Sequence, residues 1–500
     1  MRAKAIASAG YATCVQTSPA AESQKSTTTT VTAPDSTLAR MRRALIVEVA
    51  LLVAILAAQV VLFSRPIHSA TNYDEDVYLA AVDALRHGQP LGSGVFAAQF
   101  PGFYDLLRGL SFLSGIGVVA LRWAMLGVTL VGTIGGWLVA RRFGGPVGGL
   151  SAAVLLVIAP PLDLFGWQVL ADPPALALTA LSLGLAAVGG PVAAIAAGGS
   201  FAAAGSVKLT AVTAIPALVW LLRGRLVPAL AGFAVVVGAV LLAHVRALGD
   251  LWASGVTYHD KARSTPAVIP HPRRQIFDQI PNTTPFLWLA VAAALAALVA
   301  VALRRPLRVW PLWSWVVLSV AFLLLHEPLH YNHLIEFPFA LAVAAGAALG
   351  SALRLLPRRL VPVALIGLTA AFAAAYVQQI HRVDTARTAE PPSNLDAARA
   401  LARLTPAGSL TVDDRPIVSF LARRRVVGPL VDLARLRWET GSLTDAKVVA
   451  ELRPARAVVV SRALRDRPRV LAYVRRRYRL RYDAGGVRIY VRTSSSSSAR

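Results

Sequence analysis

The sequence predicts a mainly α-helical polytopic membrane protein, in which a transmembrane helical bundle of about eleven spans is followed by a small α/β domain. Of the 500 residues, 56% are hydrophobic, and the mean hydropathy is +0.57, which is too apolar for a soluble protein. Apolar runs recur from Ala44 to Val383, many of them near the ~20 residues that cross a bilayer. After Glu390 the pattern changes to short alternating strands and helices, which predicts the second domain.

Residues 1–40 form the first segment, and their composition predicts a disordered cytoplasmic tail. They are rich in Ser, Thr and Ala and lack the apolar residues that a folded core needs. No apolar run begins before Ala44, so a signal peptide is not expected. The basic flank Met41-Arg42-Arg43 precedes the first span, Ala44–Phe63, and the positive-inside rule therefore places the N-terminus in the cytoplasm.

Further apolar runs complete the predicted transmembrane domain, residues 41–383. Basic pairs at most of the turns between them orient the helices, as at Arg141-Arg142 and Arg304-Arg305. The two runs around Lys208 are short, and a re-entrant pair is the alternative to two spans there. The predicted spans are Val118–Ala140, Val147–Pro160, Ala175–Val188, Ala193–Ser206, Leu209–Leu222, Val227–Val245, Phe286–Leu303, Trp310–Leu325, Leu334–Leu353 and Val361–Val377.

This predicted topology places four polar loops on the outer face of the membrane. They are residues 71–104, 162–172, 246–285 and 326–333. An odd number of spans also puts the segment after His381 on that face. Polar loops that converge at one end of a helical bundle form a candidate active site.

Residues 390–493 predict a small extracytoplasmic α/β domain, because strand-like and helix-like stretches alternate there. The Ser-rich residues 494–500 are expected to form a flexible tail. The predicted strands are Ser409–Val412, Val426–Leu433, Ala457–Ser461, Arg479–Asp483 and Val487–Arg492, and the predicted helices are Leu395–Leu404, Thr444–Leu452 and Arg469–Tyr478.

The net charge of +25 and the single cysteine argue against several classes of function. Much of the basic excess lies in Arg clusters between spans, and no nucleic-acid-binding motif accompanies it, so no nucleic-acid partner is expected. The remaining excess lies in the C-terminal segment and favours contact with anionic lipid headgroups or an acidic acceptor. Cys14 alone provides neither a disulfide framework nor a thiolate metal cluster. The absence of a P-loop, a GxGxxG fingerprint and a nucleophile elbow argues against ATP-driven transport and hydride transfer.

Acidic residues on the predicted outer loops are the strongest candidates for chemistry. Asp74, Glu75 and Asp76 follow the first span directly, where a concentrated acid cluster is costly to hold near lipid. Asp172 precedes Pro173-Pro174 at the start of the fourth span. Each has a simpler interpretation: the cluster is a solvated polar loop, and Asp172 is a helix N-cap before proline at the first turn.

Four motifs, in their order and on their predicted face, resemble those of a known family. They are Tyr73-Asp74-Glu75 with Tyr78, Gly88 and Gln99-Phe100-Pro101-Gly102 downstream, Ala171-Asp172-Pro173-Pro174, Gly205-Ser206-Val207-Lys208-Leu209-Thr210, and His330-Tyr331-Asn332-His333 followed by Pro338. On these residues the chain resembles the GT-C glycosyltransferases, especially the family 39-like branch of protein mannosyltransferases and aminoarabinose transferases. The C-terminal domain, with Asp413-Asp414 and Val431-Asp432, also looks like those that follow such bundles in bacterial members. One departure is Gln-Phe-Pro-Gly, where many relatives have a double proline.

The resemblance implies an inverting glycosyltransferase that moves a sugar from a polyprenyl-phosphate donor to an acceptor hydroxyl on the outer face of the plasma membrane. The acceptor class (glycan, lipid or protein) and the sugar stay open. The resemblance makes Asp74 the base that deprotonates the hydroxyl, and Glu75 its neighbour or a metal or acceptor ligand. Asp172 is then the second acid, and Asp76 is left as a structural residue. No cofactor is certain, and the need for a divalent metal stays open.

Cations are needed for the phosphate of such a donor. Lys208 has the alternative of extending to a membrane interface, and the loop cations have the alternative of ordinary solvated charges. The two histidines, three positions apart, have capping, interface and metal-binding alternatives. The candidates for binding the donor phosphate are Lys208, Arg263, Arg273, Arg274, His330 and His333.

Two other functions compete with the transferase. A transporter or flippase of a lipid-linked saccharide would use the acids as ion sites and would predict acids in opposing spans and an inverted repeat. Glu48 lies within a span, but no convincing repeat is seen. A non-catalytic envelope assembly factor would instead use the C-terminal domain for binding.

Overall fold

The computed structural model describes residues 34–265, 309–326 and 329–493, most of which are helical. The chain divides into two compact units, residues 1–47 and 48–500. The described part of the first unit belongs to a helix that begins at Pro34, so this helix starts within the predicted N-terminal tail. The second unit contains all other elements.

The first fourteen described helices cover the predicted transmembrane domain and its loops. Short 3₁₀ helices span Leu209–Ala214 and Tyr331–Ile335, and a π-helical turn, Ala253–Thr257, joins α10 to α11. In chain order the α-helices are α1 (Pro34–Ser64), α2 (Tyr73–Arg86), α3 (Pro101–Ser114), α4 (Val118–Val157), α5 (Leu162–Phe165), α6 (Asp172–Val188), α7 (Pro191–Val207), α8 (Ile215–Leu222), α9 (Leu226–Ala243), α10 (Leu248–Trp252), α11 (Tyr258–Arg263), α12 (Trp310–Leu325), α13 (Glu336–Leu353) and α14 (Val361–Thr385).

Five of the described helices are long and apolar enough to cross a membrane: α1, α4, α9, α14, and α13 together with the 3₁₀ turn before it. Shorter apolar helical segments are α6, α7, α12 and the stretch Leu209–Leu222. The predicted spans that fall within the described residues are therefore helical. The predicted span Phe286–Leu303 lies outside the described residues.

Two predicted spans lie within α4, which reverses direction at Gly145. Gly145 has φ 65° and ψ −165°, a conformation that favours glycine, and Pro146 follows it. A Cβ atom on Gly149 would lie 2.6 Å from Cδ1 of Trp137. A straight helix would hold these two residues several turns apart. The halves of α4 are therefore antiparallel neighbours, as predicted.

Helix α13 lies inside the bundle: 89% of the most apolar stretch of Tyr331–Leu353 is buried. It packs against α4 so closely that a Cβ on Gly346 would lie 2.4 Å from the backbone nitrogen of Ala152. Small residues allow such close approach where the hydrophobic effect does not drive helices together. Polar groups at the start of α13 are therefore enclosed by neighbouring helices.

The C-terminal region forms a five-stranded mixed sheet with strand order β2-β1-β3-β5-β4. Strands β2, β1 and β3 are parallel, and β5 pairs antiparallel with β3 and β4. The register pairs Val412 with Val458 and Val459 with Ile489. The strands are β1 (Leu410–Asp413), β2 (Arg425–Val426), β3 (Ala457–Val460), β4 (Tyr478–Ala484) and β5 (Val487–Arg492), and the helices are α15 (Pro392–Leu404), α16 (Ile417–Leu421), α17 (Arg435–Glu439), α18 (Asp445–Glu451) and α19 (Pro468–Arg477).

The strand predicted over Val426–Leu433 is wrong in its length. Strand β2 ends at Val426, and a 3₁₀ turn occupies Gly428–Leu430. Pro429 has no backbone N–H to donate to a sheet ladder, so the chain leaves the sheet before it. The other four predicted strands are present, with shifts of a few residues at their ends.

The first loop, residues 71–104, and the C-terminal region share one hydrophobic core that includes Leu79, Phe103, Leu401 and Ile489. Backbone hydrogen bonds also join them: Ala70 N–H donates to the carbonyl of Thr388 at 2.6 Å, and Phe96 N–H donates to that of Gly428 at 3.1 Å. The sheet therefore lies on the first loop, as expected if both are on one face of the bundle.

Candidate active site

Three consecutive acids begin helix α2, and the helix gives them three different environments. The side chain of Asn72 caps the helix by accepting the N–H of Glu75 at 2.9 Å. Successive helical residues are rotated by about 100°, so Asp74, Glu75 and Asp76 point in different directions. Asp74 is exposed, whereas Glu75 and Asp76 are buried.

Glu75 is paired inside the protein with Arg122 of α4. Nε and Nη2 of Arg122 donate to the two carboxylate oxygens at 2.8 and 2.6 Å, and Val169 N–H donates to Oε1 at 3.1 Å. Arg122 also donates to the carbonyls of Ile67, Ser69 and Ala70. The pair therefore ties the start of α2 to α4 and to the 67–70 segment, and Glu75 has a full set of protein partners.

Asp76 is buried against the C-terminal region. One of its carboxylate oxygens lies 4.0 Å from Nε of Arg415, and burial raises its pKa well above the usual value. Arg415 also lies 3.8 Å from Glu390, whose carboxylate accepts the backbone N–H of Thr71. These contacts connect the first loop to the sheet and agree with a structural role for Asp76.

Asp74 is accessible to solvent, but the protein around its carboxylate still displaces part of its hydration, and three other charged groups act on it. The surrounding protein desolvates its carboxylate, and the negative charges of Asp432 and Asp172 act in the same direction against the positive charge of Lys208. Together these effects raise the pKa of Asp74 to about 6. A carboxylate with this pKa is ionised at neutral pH and is a stronger proton acceptor than an ordinary aspartate.

Asp172, Lys208 and Asn332 meet in one cluster, although they come from three distant parts of the chain. Nζ of Lys208 donates to Oδ1 of Asp172 at 2.5 Å, and the Asn332 amide donates to Oδ2 at 3.0 Å. Asp172 is the first residue of α6 and makes no side-chain capping bond, so the N-cap interpretation is wrong. Lys208 is 9% exposed and paired, so the extension to a membrane interface is also wrong.

The histidines of the 330–333 turn mainly hold that turn. His333 is buried, its Nδ1 accepts the backbone N–H of His330 at 3.3 Å, and the His330 side chain accepts the backbone N–H of His333 in return. His326 packs edge-on against His333, with ring centroids 4.7 Å apart. Burial and the nearby charge of Lys208 lower the pKa of His326 to about 3, so this ring is neutral at pH 7.

The predicted loop cations are less enclosed. Arg263 is exposed at the end of α11, and its charge contributes to the lowered pKa of His326. Arg273 and Arg274 lie outside the described residues. Among the parts of the chain that the structure describes, no three or more His, Cys, Asp or Glu side chains are placed to hold a metal ion.

Two acids near this cluster were not among the predicted site residues. Glu336 is buried at the start of α13, and its Oε1 accepts the hydroxyls of Thr213 at 2.8 Å and Ser319 at 3.4 Å. Asp432 accepts the hydroxyl of Tyr73 at 3.0 Å. A single acid at the start of an apolar span was the available signal for Glu336. Val431-Asp432 was noted as a point of resemblance, but its contact with Tyr73 was not predictable, because only the fold brings the two residues together.

The loop after α2 brings α3 against the segment that carries Lys208. A Cβ atom on Gly102 would lie 2.1 Å from Oγ and 2.8 Å from the carbonyl oxygen of Ser206. Only glycine permits this approach without a backbone shift. On the other side, Gln99 donates to the hydroxyl of Tyr78 at 2.9 Å. Two of the motifs quoted from the sequence, Gln99–Gly102 and Gly205–Thr210, are therefore in direct contact.

No protein-family model and no curated protein matches the chain. Solved structures do match it. ArnT (an aminoarabinose transferase) from Cupriavidus metallidurans, bound to undecaprenyl phosphate, is similar with a TM-score of 0.64 at 15% identity, over 90% of this chain and 99% of that one. The oligosaccharyltransferase of Archaeoglobus fulgidus in complex with Zn and sulfate is similar with a TM-score of 0.54 at 14% identity, over 88% and 73% of the two chains. The transmembrane bundle with its C-terminal α/β region therefore has the GT-C fold.

Proposed function

We propose that the protein is an integral-membrane glycosyltransferase that moves a sugar from a polyprenyl-phosphate donor to the hydroxyl of an extracytoplasmic acceptor, with inversion at the anomeric carbon. The observation that supports this most is that the exposed carboxylate of Asp74 lies within electrostatic range of the Asp172–Lys208 cluster. The fold adds support, because a similar structure contains undecaprenyl phosphate.

In this mechanism Asp74 removes the proton from the acceptor hydroxyl as that oxygen attacks the anomeric carbon of the sugar. The bond between the anomeric carbon and the phosphate oxygen breaks on the opposite side, and the lipid phosphate leaves with the electron pair. Lys208 has three N–H donors and gives one of them to Asp172, so two remain for the leaving phosphate. Negative charge thus develops beside a fixed ammonium group.

The other candidates receive supporting roles in this proposal. Asp172 and Asn332 position the ammonium group of Lys208, and Glu75 holds the start of α2 through Arg122, so that Asp74 keeps its direction. His330 and His333 shape the turn that carries Asn332. Arg263, Arg273 and Arg274 remain candidates for additional contacts with the donor phosphate.

The test of this function is the fate of the bond between sugar and phosphate. Membranes that contain the protein, supplied with radiolabelled polyprenyl-phosphate sugar, should convert label to an acceptor-linked form and release free polyprenyl phosphate. A transporter or flippase would move the labelled lipid across the bilayer and leave that bond intact. Intact donor after complete translocation would therefore contradict the transferase.

We also propose that the protein lies in the plasma membrane with its N-terminus in the cytoplasm and the C-terminal region outside. The basic flank Arg42-Arg43 before α1 supports the first part, and the packing of the sheet on the first loop supports the second. A reporter fused after Arg500 should be active only in the extracytoplasmic compartment. A cytoplasmic signal would reverse the orientation of the whole site.

The pH dependence of transfer should report the pKa of Asp74. Because the base must be deprotonated, kcat/KM should fall about tenfold for each pH unit below a pKa of about 6 and level off above it. Replacing Asp432 with asparagine removes a negative charge that raises this pKa but keeps an oxygen that accepts the Tyr73 hydroxyl. The fall of kcat/KM at low pH should therefore begin at a lower pH in this variant. If the fall begins at the same pH, a group other than Asp74 controls it.

A further inference from the structure

A cavity of about 410 Å³ lies beside Tyr73, the residue directly before Asp74. Its lining includes Asp414 and Ser461, which follow strands β1 and β3, together with Arg462 and Arg465. Ligands commonly bind at the carboxyl ends of parallel strands. The volume lies within the range of about 300–1,000 Å³ that is usual for small-ligand sites. Neither Asp172 nor Lys208 lines the cavity, and its lining includes Tyr73, the residue that precedes the proposed base in the sequence.

The carboxylate of Asp414 is fully used by the protein. Its Oδ1 accepts the N–H and the hydroxyl of Ser461 at 2.8 and 2.7 Å, and its Oδ2 accepts the N–H groups of Arg462 and Leu464 at 2.7 and 2.9 Å. These four bonds fix the turn that follows β3. They also leave the Asp414 carboxylate without free acceptor capacity toward the cavity, whereas guanidinium groups line its rim.

Arg462, Arg465 and Arg435 are exposed at this rim. Arg435 pairs with Glu439 at 2.5 Å, and Arg465 donates to the carbonyl of Gly486. The guanidinium of Arg462 lies 5.1 Å from the ring centroid of Tyr73 and forms no salt bridge with any described residue. The lining contains two acids, the buried Asp414 and the exposed Asp466. Arg462 and Arg465 therefore offer planar N–H groups toward the cavity that suit two oxygens of one anion.

We propose that this cavity binds an oxyanion, a phosphate or a carboxylate, carried by the acceptor substrate. That the anion belongs to an acceptor rests on the proposed transferase function; that the cavity binds an oxyanion does not. Tyr73, whose ring packs against the Arg462 guanidinium, directly precedes Asp74 in the chain, and its hydroxyl donates to Asp432 and accepts the N–H of Leu433 at 2.9 Å. An acceptor held by its anionic group would thus be anchored next to the residue that takes its proton.

Protection from an arginine-specific reagent tests the site without any need for catalysis. The full chain in detergent is treated with phenylglyoxal, and the modified arginines are followed by mass spectrometry. Inorganic phosphate at ten times its dissociation constant should slow modification of Arg462 about tenfold. Arg476, an exposed arginine of α19 outside the cavity lining, should react at an unchanged rate. In the Arg465→Ala variant, the same phosphate concentration should protect Arg462 less.

Glucuronate in place of phosphate separates the two sources of the oxyanion. Protection at lower concentration by phosphate identifies a phosphate-bearing acceptor, and protection at lower concentration by glucuronate identifies a uronic acid. Equal rates for Arg462 with and without either anion would overturn the proposal, as would equal slowing of Arg462 and Arg476. The protection experiment needs no sugar transfer, so its outcome is independent of the labelled-donor assay. Protection of Arg462 together with intact donor in that assay would refute the proposed function and leave the oxyanion site standing.

Discussion

Replacing Asp74 with asparagine should lower sugar transfer by about 10²–10⁴-fold, the range that general base catalysis contributes. The side chain is exposed and makes no hydrogen bond or ion pair within the described residues, so its loss should leave the thermal unfolding midpoint almost unchanged. Asparagine has nearly the same shape but cannot take the proton of the hydroxyl. The measurement is the initial rate of label transfer from polyprenyl-phosphate sugar at saturating donor.

Asp83→Asn is the matched control for this substitution. Asp83 lies on the same helix, near its other end, 3.5 Å from the ring of His87. Its replacement should keep transfer near the wild-type rate. Undiminished transfer by Asp74→Asn would show that Asp74 is not the base. If Asp172→Asn then lost transfer activity, Asp172 would be the better candidate for the base.

The buried pair of Arg122 and Glu75 should have the largest effect on stability. Replacing Arg122 with methionine leaves a fully buried carboxylate without its cation, which should lower the free energy of unfolding by about 3–5 kcal/mol. Three backbone carbonyls at the end of the first span would lose their donors as well. Thermal and denaturant unfolding of the detergent-solubilised protein would measure the change.

The double variant Arg122→Met with Glu75→Gln should be more stable than Arg122→Met alone, because no uncompensated charge remains. It should still be less stable than the wild type, since the carbonyls of Ile67, Ser69 and Ala70 stay without donors. Arg108→Met on α3 is the control, because Arg108 is exposed and its replacement should change stability by less than about 0.5 kcal/mol. Equal stability of the Arg108 and Arg122 variants would show that the buried pair does not hold the first loop.

The helical bundle was predictable from the sequence because a bilayer demands apolar runs of defined length and leaves basic residues at the turns. The central strand β3 was also predictable, since Ala457–Ser461 is an apolar run bounded by polar residues, whereas the parallel pairing of β3 with β1 was not predicted. Asp172 and Lys208 were each nominated from motifs shared with a known family, but their pairing was not predicted, and Asn332 was missed because His330 and His333 were the candidates in its turn. Periodicity alone would not have joined these residues, because it carries no information on long-range contacts.

The partners of individual acids were not predictable in the same way. Arg122 stands alone within an apolar span, and a buried cation there requires a partner, but several acids were available. Only the fold shows that Glu75 pairs with Arg122 and that Asp74 stays exposed to solvent. The end of β2 was missed for a local reason, because the apolar pattern of Val426–Leu433 continued through a proline that cannot join a ladder.

The contact between the first loop and the C-terminal region limits how far the two can be exchanged between relatives. The Tyr73 hydroxyl donates to the side chain at position 432, and the Phe96 N–H donates to the carbonyl of Gly428. A Cβ atom at position 428 would lie 2.0 Å from the carbonyl oxygen of Gly94. A chimera that takes its C-terminal region from a relative with a larger residue there would displace the loop and, with it, the proposed base. The two sides of this contact must therefore change together, so the first loop and the C-terminal region cannot be exchanged as independent modules.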